Sequence, residues 1–311
     1  MAAASARGAD LTGVLTVCNA GSLAAPLARA LADFAARHPA VKPAQESAGS
    51  LDIVRRATEL GRPCDVLAVA DYEVLPTLVV PVHASWYAVF ARNRLTIAYR
   101  PESRGAADLE HTPWYEVLLR PGVAVGYADP DADPAGYRTL MAWQLAERHY
   151  KVAGLADRLK GSVPARNLRP KSVELVGLLQ AGELDFVWTY RSVAETASLR
   201  TVTLPPEIDL GDPGRASLYG SVEVEVAGNT PGTRRTVRGL PILYGLTIPA
   251  AAPNPTAAEA FVAHLVGDAG RAVLREGHLD PLDPPQASDL KALPAALRPS
   301  FVPLAFAPPV G

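Results

Sequence analysis

From residue 12 to about 90, short apolar runs alternate with stretches whose apolar positions recur every three or four residues, a pattern of strands alternating with helices. The run LTVCN around residues 15–19 predicts a buried strand. Leu23 to His38 carries Leu23, Leu27, Leu31 and Phe34 on one helical face, and Pro39 stops the helix. A second unit repeats this design: extended VKPAQESA, the junction Gly49-Ser50, helical LDIVRRATEL closed by Gly61 and Pro63, then the buried strand CDVLAVA. The junctions Gly21-Ser22 and Gly49-Ser50 occupy the same place in each unit, 28 residues apart.

Residues 85–99 (SWYAVFARNRLTIAY) read as long extended chain suited to passing from one lobe to another. A short helix around WYEVLL, the strand VAVGY, a strong helix from Gly136 to Tyr150, the helix KSVELVGLLQ and the strand LDFVWTY follow. The apolar segment 239–249 (GLPILYGLTIP) leads the chain back, and the helical stretch 256–277 completes the first lobe. The alternation predicts an α/β fold with lobe 1 at 1–88 and 243–285 and an inserted lobe 2 at 89–242, the two crossings forming a hinge. From about Asp280 the chain is rich in proline, which cannot donate to a ladder, so 286–311 is expected to be an extended strap or tail.

Composition narrows the function. A chain of 311 residues buries about three quarters of its unfolded surface and needs no staples. With 30 Lys+Arg against 32 Asp+Glu the net charge is −2, which provides no field for nucleic acid. No apolar run approaches the roughly 20 residues of a membrane helix, so no direct membrane insertion is expected. The opening MAAASARGADLTG has no cationic start followed by a long apolar core, so either an export signal has been removed or the protein is cytoplasmic. Cys18 and Cys64 lie in no metal-ligand spacing; neighbouring parallel strands would hold them about 10 Å apart as two free, inert thiols.

The motifs of dinucleotide, nucleotide, zinc-protease and serine-hydrolase sites are absent, and six histidines (38, 83, 111, 149, 264, 278) are scattered. What remains is small polar residues at helix starts. Ser22 and Ser50 sit between strand and helix, where unpaired N–H groups and the positive helix end hold anions; Ser is equally a common helix cap. The loop Asp129-Pro130-Asp131-Ala132-Asp133-Pro134-Ala135-Gly136-Tyr137-Arg138 reads either as a cap with proline at the first helical position or as a ligand loop presenting Asp133 and the Ala135 amide.

These segments occur in order with Asn19-Ala-Gly-Ser-Leu23, Ala48-Gly-Ser50, Ala70-Asp-Tyr72, Trp86-Tyr87, Phe90-Ala-Arg-Asn93, Arg169-Pro-Lys-Ser-Val-Glu-Leu175, Tyr190-Arg-Ser-Val-Ala194 and Leu204-Pro-Pro-Glu-Ile208. Together they resemble the archaeal-type tungstate/molybdate-binding proteins of ABC importers, from about residue 14 to 285. The resemblance implies a type II periplasmic-binding-protein fold, each lobe a mainly parallel sheet flanked by helices, with an oxyanion in the inter-lobe cleft. It also implies donation from Gly21, Ser22 and Ser50, approach of Asp133 and the Ala135 backbone, and a phenol donor at Tyr244. Glu207 falls in a matching segment near the cleft or in a solvated loop; Asp71 and Tyr72 also match.

One position departs from that family: the strand before Tyr190 usually carries a metal-coordinating glutamate, and here it carries Thr189. A carboxylate about 4 Å from a dianion is repelled by several kcal/mol even at an effective dielectric near 20. Thr189 removes that repulsion, loses a ligand and adds a hydroxyl, leaving Asp133 as the carboxylate able to touch the ligand's metal. The expected activity is capture of molybdate or tungstate for an ABC permease by a periplasmic, monomeric, non-enzymatic protein with no cofactor. A cytoplasmic oxyanion sensor or store, a sulfate-binding protein, and an enzyme on the same fold are the alternatives.

Overall fold

The computed structural model describes residues 11–228 and 232–305. In chain order these form β1 (Gly13–Ala20), α1 (Ala24–Arg37), β2 (Val41–Ala48), α2 (Ser50–Thr58), β3 (Val66–Val69), α3 (Val74–Leu78) and β4 (Ala88–Arg92). Next come β5 (Leu95–Tyr99), α4 (Trp114–Leu118), β6 (Val125–Ala128), α5 (Pro134–Tyr150), α6 (Leu155–Ser162), β7 (Leu168–Arg169), α7 (Ser172–Ala181), β8 (Phe186–Tyr190), α8 (Arg191–Thr196) and β9 (Arg200–Val202). The chain continues through α9 (Ala216–Tyr219), β10 (Glu223–Ala227) and β11 (Arg234–Arg238). It ends with β12 (Leu243–Thr247), α10 (Pro255–Val266), α11 (Asp268–Glu276), β13 (Asp280–Ala287) and β14 (Val302–Pro303).

The contacts divide the chain into one unit of 1–92 with 243–311 and a second of 93–242. The boundary expected at 88/89 therefore lies four residues later. The reason is β4, which pairs with both β12 and β13 and so stays in the first sheet.

The first unit has a seven-stranded sheet in the order β14-β13-β4-β12-β3-β1-β2. Strands β2, β1 and β3 are parallel, joined through α1 and α2, whereas β12 returns antiparallel to both β3 and β4. One face packs Leu15, Val17, Leu27, Phe34 and Trp86 against Phe261 and Leu265 of α10; the other packs Leu67 and Val69 against Ile53 and Val54 of α2 and Leu75 of α3. Cys18 and Cys64 are free and buried in this second layer. They are closer than the expected 10 Å: contact with the Cys18 thiol, then burial, pushes the Cys64 thiol up, and Cys18 Sγ lies 3.7 Å from the Pro63 carbonyl.

The second unit has a five-stranded sheet, β7-β6-β8-β5-β9, parallel through β7, β6 and β8 and antiparallel at β5 and β9, plus a β10-β11 hairpin. Trp143 of α5 meets Tyr127 and Trp188 edge to face, with centroids 5.0 and 5.9 Å apart. These large rings fix α5 on the sheet.

The strap expected over 286–311 is, through residue 305, part of the first unit. β13 runs to Ala287 and pairs antiparallel with β4, β14 pairs with β13, and Leu293, Leu297 and Phe301 are buried with α10 and α11. Proline is compatible with edge positions, and the apolar residues between the prolines provide the burial that the composition hides. Leu297→Ala is therefore expected to lower the unfolding free energy by about 2–5 kcal/mol in urea titration. An unchanged midpoint would show the segment to be loosely held after all.

Candidate functional site

In the first unit, β1 and β2 pair in parallel from Gly13↔Val41 to Ala20↔Ala48, a constant offset of 28 residues. The repeat noticed in the sequence is thus the strand register itself, and Gly21-Ser22 and Gly49-Ser50 leave the same end of the sheet at the same level. Ligands bind beyond such carboxyl ends in open α/β sheets. Buried Asn19 ties the two strand ends together: its amide nitrogen donates to Ser47 Oγ (3.0 Å) and the Ala20 carbonyl (2.8 Å), while its oxygen accepts from Gln45 (2.8 Å).

Neither serine acts as a helix cap. Ser22 is exposed within the 3-10 turn Gly21–Leu23, and Ser50 is the first residue of α2 behind Gly49, with no side-chain cap bond at either start. Ser50 Oγ instead accepts from the Ala70 amide (3.2 Å), at the end of β3. Tyr244 precedes the Gly245↔Val69 pair, so it lies at that same end of the sheet, buried beside the α1 and α10 core. Gly21, Ser22, Ser50 and Tyr244 therefore lie at the same end of the first sheet. Asp71 and Tyr72 follow β3 there, Tyr72 buried, its amide donating to the Leu243 carbonyl (3.3 Å).

In the second unit, the register Val125↔Phe186, Gly126↔Val187 sets Ala128 level with Thr189 at the carboxyl ends of β6 and β8. The three aspartates of the following loop do three different jobs. Asp129 accepts from the Asp131 amide (3.0 Å). Asp131 takes the Ala227 amide (2.7 Å) and Arg234 (3.1 Å), tying the loop to the hairpin. Asp133 caps two helices, its Oδ1 accepting from Ala135 N (2.8 Å) at the start of α5 and its Oδ2 from Ser172 N (2.8 Å) at the start of α7. The Ala135 amide, expected to approach the ligand, is thus engaged by Asp133. The cap reading of this loop describes the structure, because proline at the first helical position leaves the next amide for the aspartate.

Thr189 is 0% exposed, and its hydroxyl has no hydrogen-bond partner among the described residues. Orphaned buried hydroxyls are rare and call for an explanation. The neighbouring Tyr190 points the other way, toward α5, where its phenol oxygen accepts from Arg138 Nη1 (2.6 Å). Arg138 is 7% exposed and stacks within 5.8 Å of both the Tyr137 and Tyr190 rings. Burial pushes the Tyr190 phenol up; Arg138 opposes this, and the charge of Asp133 adds to it. The Glu207 carboxylate is held by Arg215 (2.8 Å), a partly exposed ion pair.

Sequence reasoning gave Asn19, Arg138 and Tyr190 no role. A surface cleft of about 470 Å³ lined by Tyr99, Pro101, Leu109 and Arg200 lies at the opposite end of the second sheet and shares none of these residues. Among the described residues no three His, Cys, Asp or Glu cluster to hold a metal, and no helix is long and apolar enough to cross a membrane.

Two units, each a mixed sheet flanked by helices, match the class of two-lobed binding proteins in fold. The family model described as bacterial extracellular solute-binding protein matches residues 15–279, and the chain belongs to that family. It is 40% identical over 289 residues to an uncharacterized solute-binding protein of Petrotoga mobilis, covering 93% of this chain and 90% of the relative. It is 36% identical over 299 residues to the molybdate/tungstate-binding protein WtpA of Thermococcus kodakarensis, covering 88% and 83%. Among solved structures, the substrate-binding domain of a putative molybdenum ABC transporter from Clostridium difficile superposes with a TM-score of 0.62 at 17% identity, covering 86% of this chain and 99% of that one.

Gly136 tests the loop geometry. A Cβ there would fall 2.4 Å from the Ala128 carbonyl oxygen and 2.7 Å from the Pro130 nitrogen, both backbone atoms that cannot swing aside. Gly136→Ala is expected to cost about 1–3 kcal/mol in thermal or urea unfolding. A neutral substitution would contradict the close approach of α5 to residues 128–130.

Proposed function

We propose that this protein captures a tetrahedral oxyanion of the molybdate and tungstate type outside the cytoplasm and hands it to the permease of an ABC importer. The observation that carries this reading is the register-matched pair of Gly-Ser helix starts, whose hydroxyls are not used for capping. Helix starts leave backbone amides unpaired and carry partial positive charge, so an oxyanion meets several donors without a fixed opposing charge. Neutral donors suit a solute that must be released again. The molybdate/tungstate-binding name of the Thermococcus relative supports the same ligand class.

Thr189 refines the ligand chemistry. With one carboxylate, Asp133, in place of an aspartate and glutamate pair, the reading is an oxyanion of four or five ligands rather than six. A four-ligand site discriminates less against sulfate, because sulfur never needs the additional oxygens that molybdenum or tungsten accepts.

Calorimetric titration with molybdate, tungstate and sulfate tests this. Binding of at least one is expected, and Ser22→Ala and Ser50→Ala are each expected to weaken it about tenfold, the worth of one charge-assisted hydrogen bond. Absence of heat and of any thermal shift with all three would end the proposal. Thr189→Glu is expected to lower sulfate affinity at least tenfold more than molybdate affinity, since only the metal centre can accept the added carboxylate. Equal losses for both anions would show that residue 189 does not face the ligand.

A further inference from the structure

Cys18 and Cys64, the two cysteines of the chain, serve no site described above. They are 1% and 4% exposed, in the layer that also holds Ile53, Val54, Leu67 and Val69. A buried cysteine behaves as a small apolar residue and makes no demand for a second one beside it. Yet the backbone brings these two together. The Asp65 amide donates to the Thr16 carbonyl (2.8 Å) and the Thr16 amide to Asp65 Oδ2 (2.7 Å), which clamps the residue after Cys64 to the residue two before Cys18. Side chains alternate along a strand, so Leu15 and Val17 face α10 while Cys18 turns into the opposite layer, where Cys64 lies. Its thiol reaches to 3.7 Å from the carbonyl oxygen of Pro63, in the peptide unit that carries the Cys64 nitrogen.

The two thiols are then in contact, and that contact, ahead of burial, raises the Cys64 thiol above the ordinary cysteine range. A raised, buried thiol is no nucleophile. Among the described residues no third ligand stands by to hold a metal. What two sulfurs in contact can still do is bond to each other.

We propose that Cys18 and Cys64 form an intrachain disulfide when the protein folds in the presence of a disulfide oxidant. The bond closes the stretch of chain that carries α1, β2 and α2, and so encloses both junctions, Gly21-Ser22 and Gly49-Ser50. The exchange has two steps. One cysteine thiolate attacks the disulfide of the oxidant, forming a mixed disulfide and expelling one oxidant thiolate. The thiolate of the other cysteine then attacks the protein sulfur of that mixed disulfide; the Cys18–Cys64 bond forms and the second oxidant thiolate leaves. The pair gives up two electrons and two protons, and both end on the two oxidant thiols released. Burial keeps an oxidant from the finished fold, so the exchange belongs to the folding chain, and the fold afterwards shields the bond. The sulfur pairing rests on the contacts around β1 alone; only the presence of an oxidant around the working protein rests on the extracytoplasmic placement proposed above.

To test this, the full chain is unfolded in guanidinium chloride with a reductant, refolded in a mixture of oxidised and reduced glutathione, alkylated in denaturant and weighed by mass spectrometry. The expected product is a monomer lighter than the reduced chain by two hydrogen atoms, with no alkyl group added, and melting roughly 5–10 °C above the chain refolded under reductant. Cys18→Ala is expected to abolish that temperature difference and to leave Cys64 alkylated or bearing one glutathione. Two alkyl groups, two glutathiones, or bridges only between chains after oxidative refolding would overturn the proposal. Should refolding fail, the native protein is held in the same glutathione mixture at sub-denaturing urea, where local opening admits the oxidant. Two alkylatable thiols remaining at the end overturn the proposal equally. Calorimetry of the reduced chain with molybdate, tungstate and sulfate keeps the two readings apart. Anion binding by a chain that never forms the bridge sinks only the bridge, and a bridge in a chain that binds none of the three anions sinks only the oxyanion reading.

Discussion

Every helix start leaves backbone N–H groups that the helix cannot satisfy, and the parallel register of the strands decides where those groups end up. In the first unit, the fixed offset between β1 and β2 places the starts of the Gly21 turn and of α2 side by side. Asn19 locks that arrangement from below by bridging Ser47 and Gln45. The second unit meets the same demand in the opposite way. There the starts of α5 and α7 converge on a carboxylate supplied by the chain, Asp133. One unit therefore presents helix starts furnished with hydroxyls, and the other carries its own anion.

That asymmetry sets the electrostatics of any bound dianion. Asp133 already neutralises two helix starts, so the second unit has little dipolar attraction to spare. A dianion beside it must be compensated by something other than those amides. Arg138 of the same unit is buried and donates to the Tyr190 phenol oxygen. Thr189 belongs to the same balance. A second carboxylate there would double the fixed negative charge, whereas the hydroxyl adds none. Its Oγ1 is buried without a hydrogen-bond partner among the described residues.

Much of this was legible in the residues. The apolar spacing of Leu23, Leu27, Leu31 and Phe34 gave α1, and the Gly-Ser repeat gave the strand register, because local periodicity reports local structure directly. The roles inside the aspartate loop were not legible. Asp129, Asp131 and Asp133 are chemically identical, and only their distant partners distinguish them: Asp131 is bound by Arg234, 103 residues away, and Asp133 by Ser172, 39 residues away. The segment after Asp280 misled for a related reason. Proline density signals poor internal hydrogen bonding, but Leu293, Leu297 and Phe301 find their burial against α10 and α11, a tertiary fact outside any local window. Tyr190 and Arg138 stood in recognisable motifs, yet their partnership joins β8 to α5 across 52 residues.

The donor types also determine what the site can discriminate. Hydroxyls and amides act only at hydrogen-bond range. Selection then rests on geometry and on the matching of donors to acceptors rather than on net charge. A fully deprotonated oxyanion offers an acceptor to every donor. An oxyanion that still carries a proton at neutral pH, such as hydrogen phosphate, also brings a donor that needs an acceptor. Asp133 oxygens that each accept one amide keep further lone pairs, so a proposed site lined by hydroxyls, amides and this carboxylate would sort anions by how well their donors and acceptors match it.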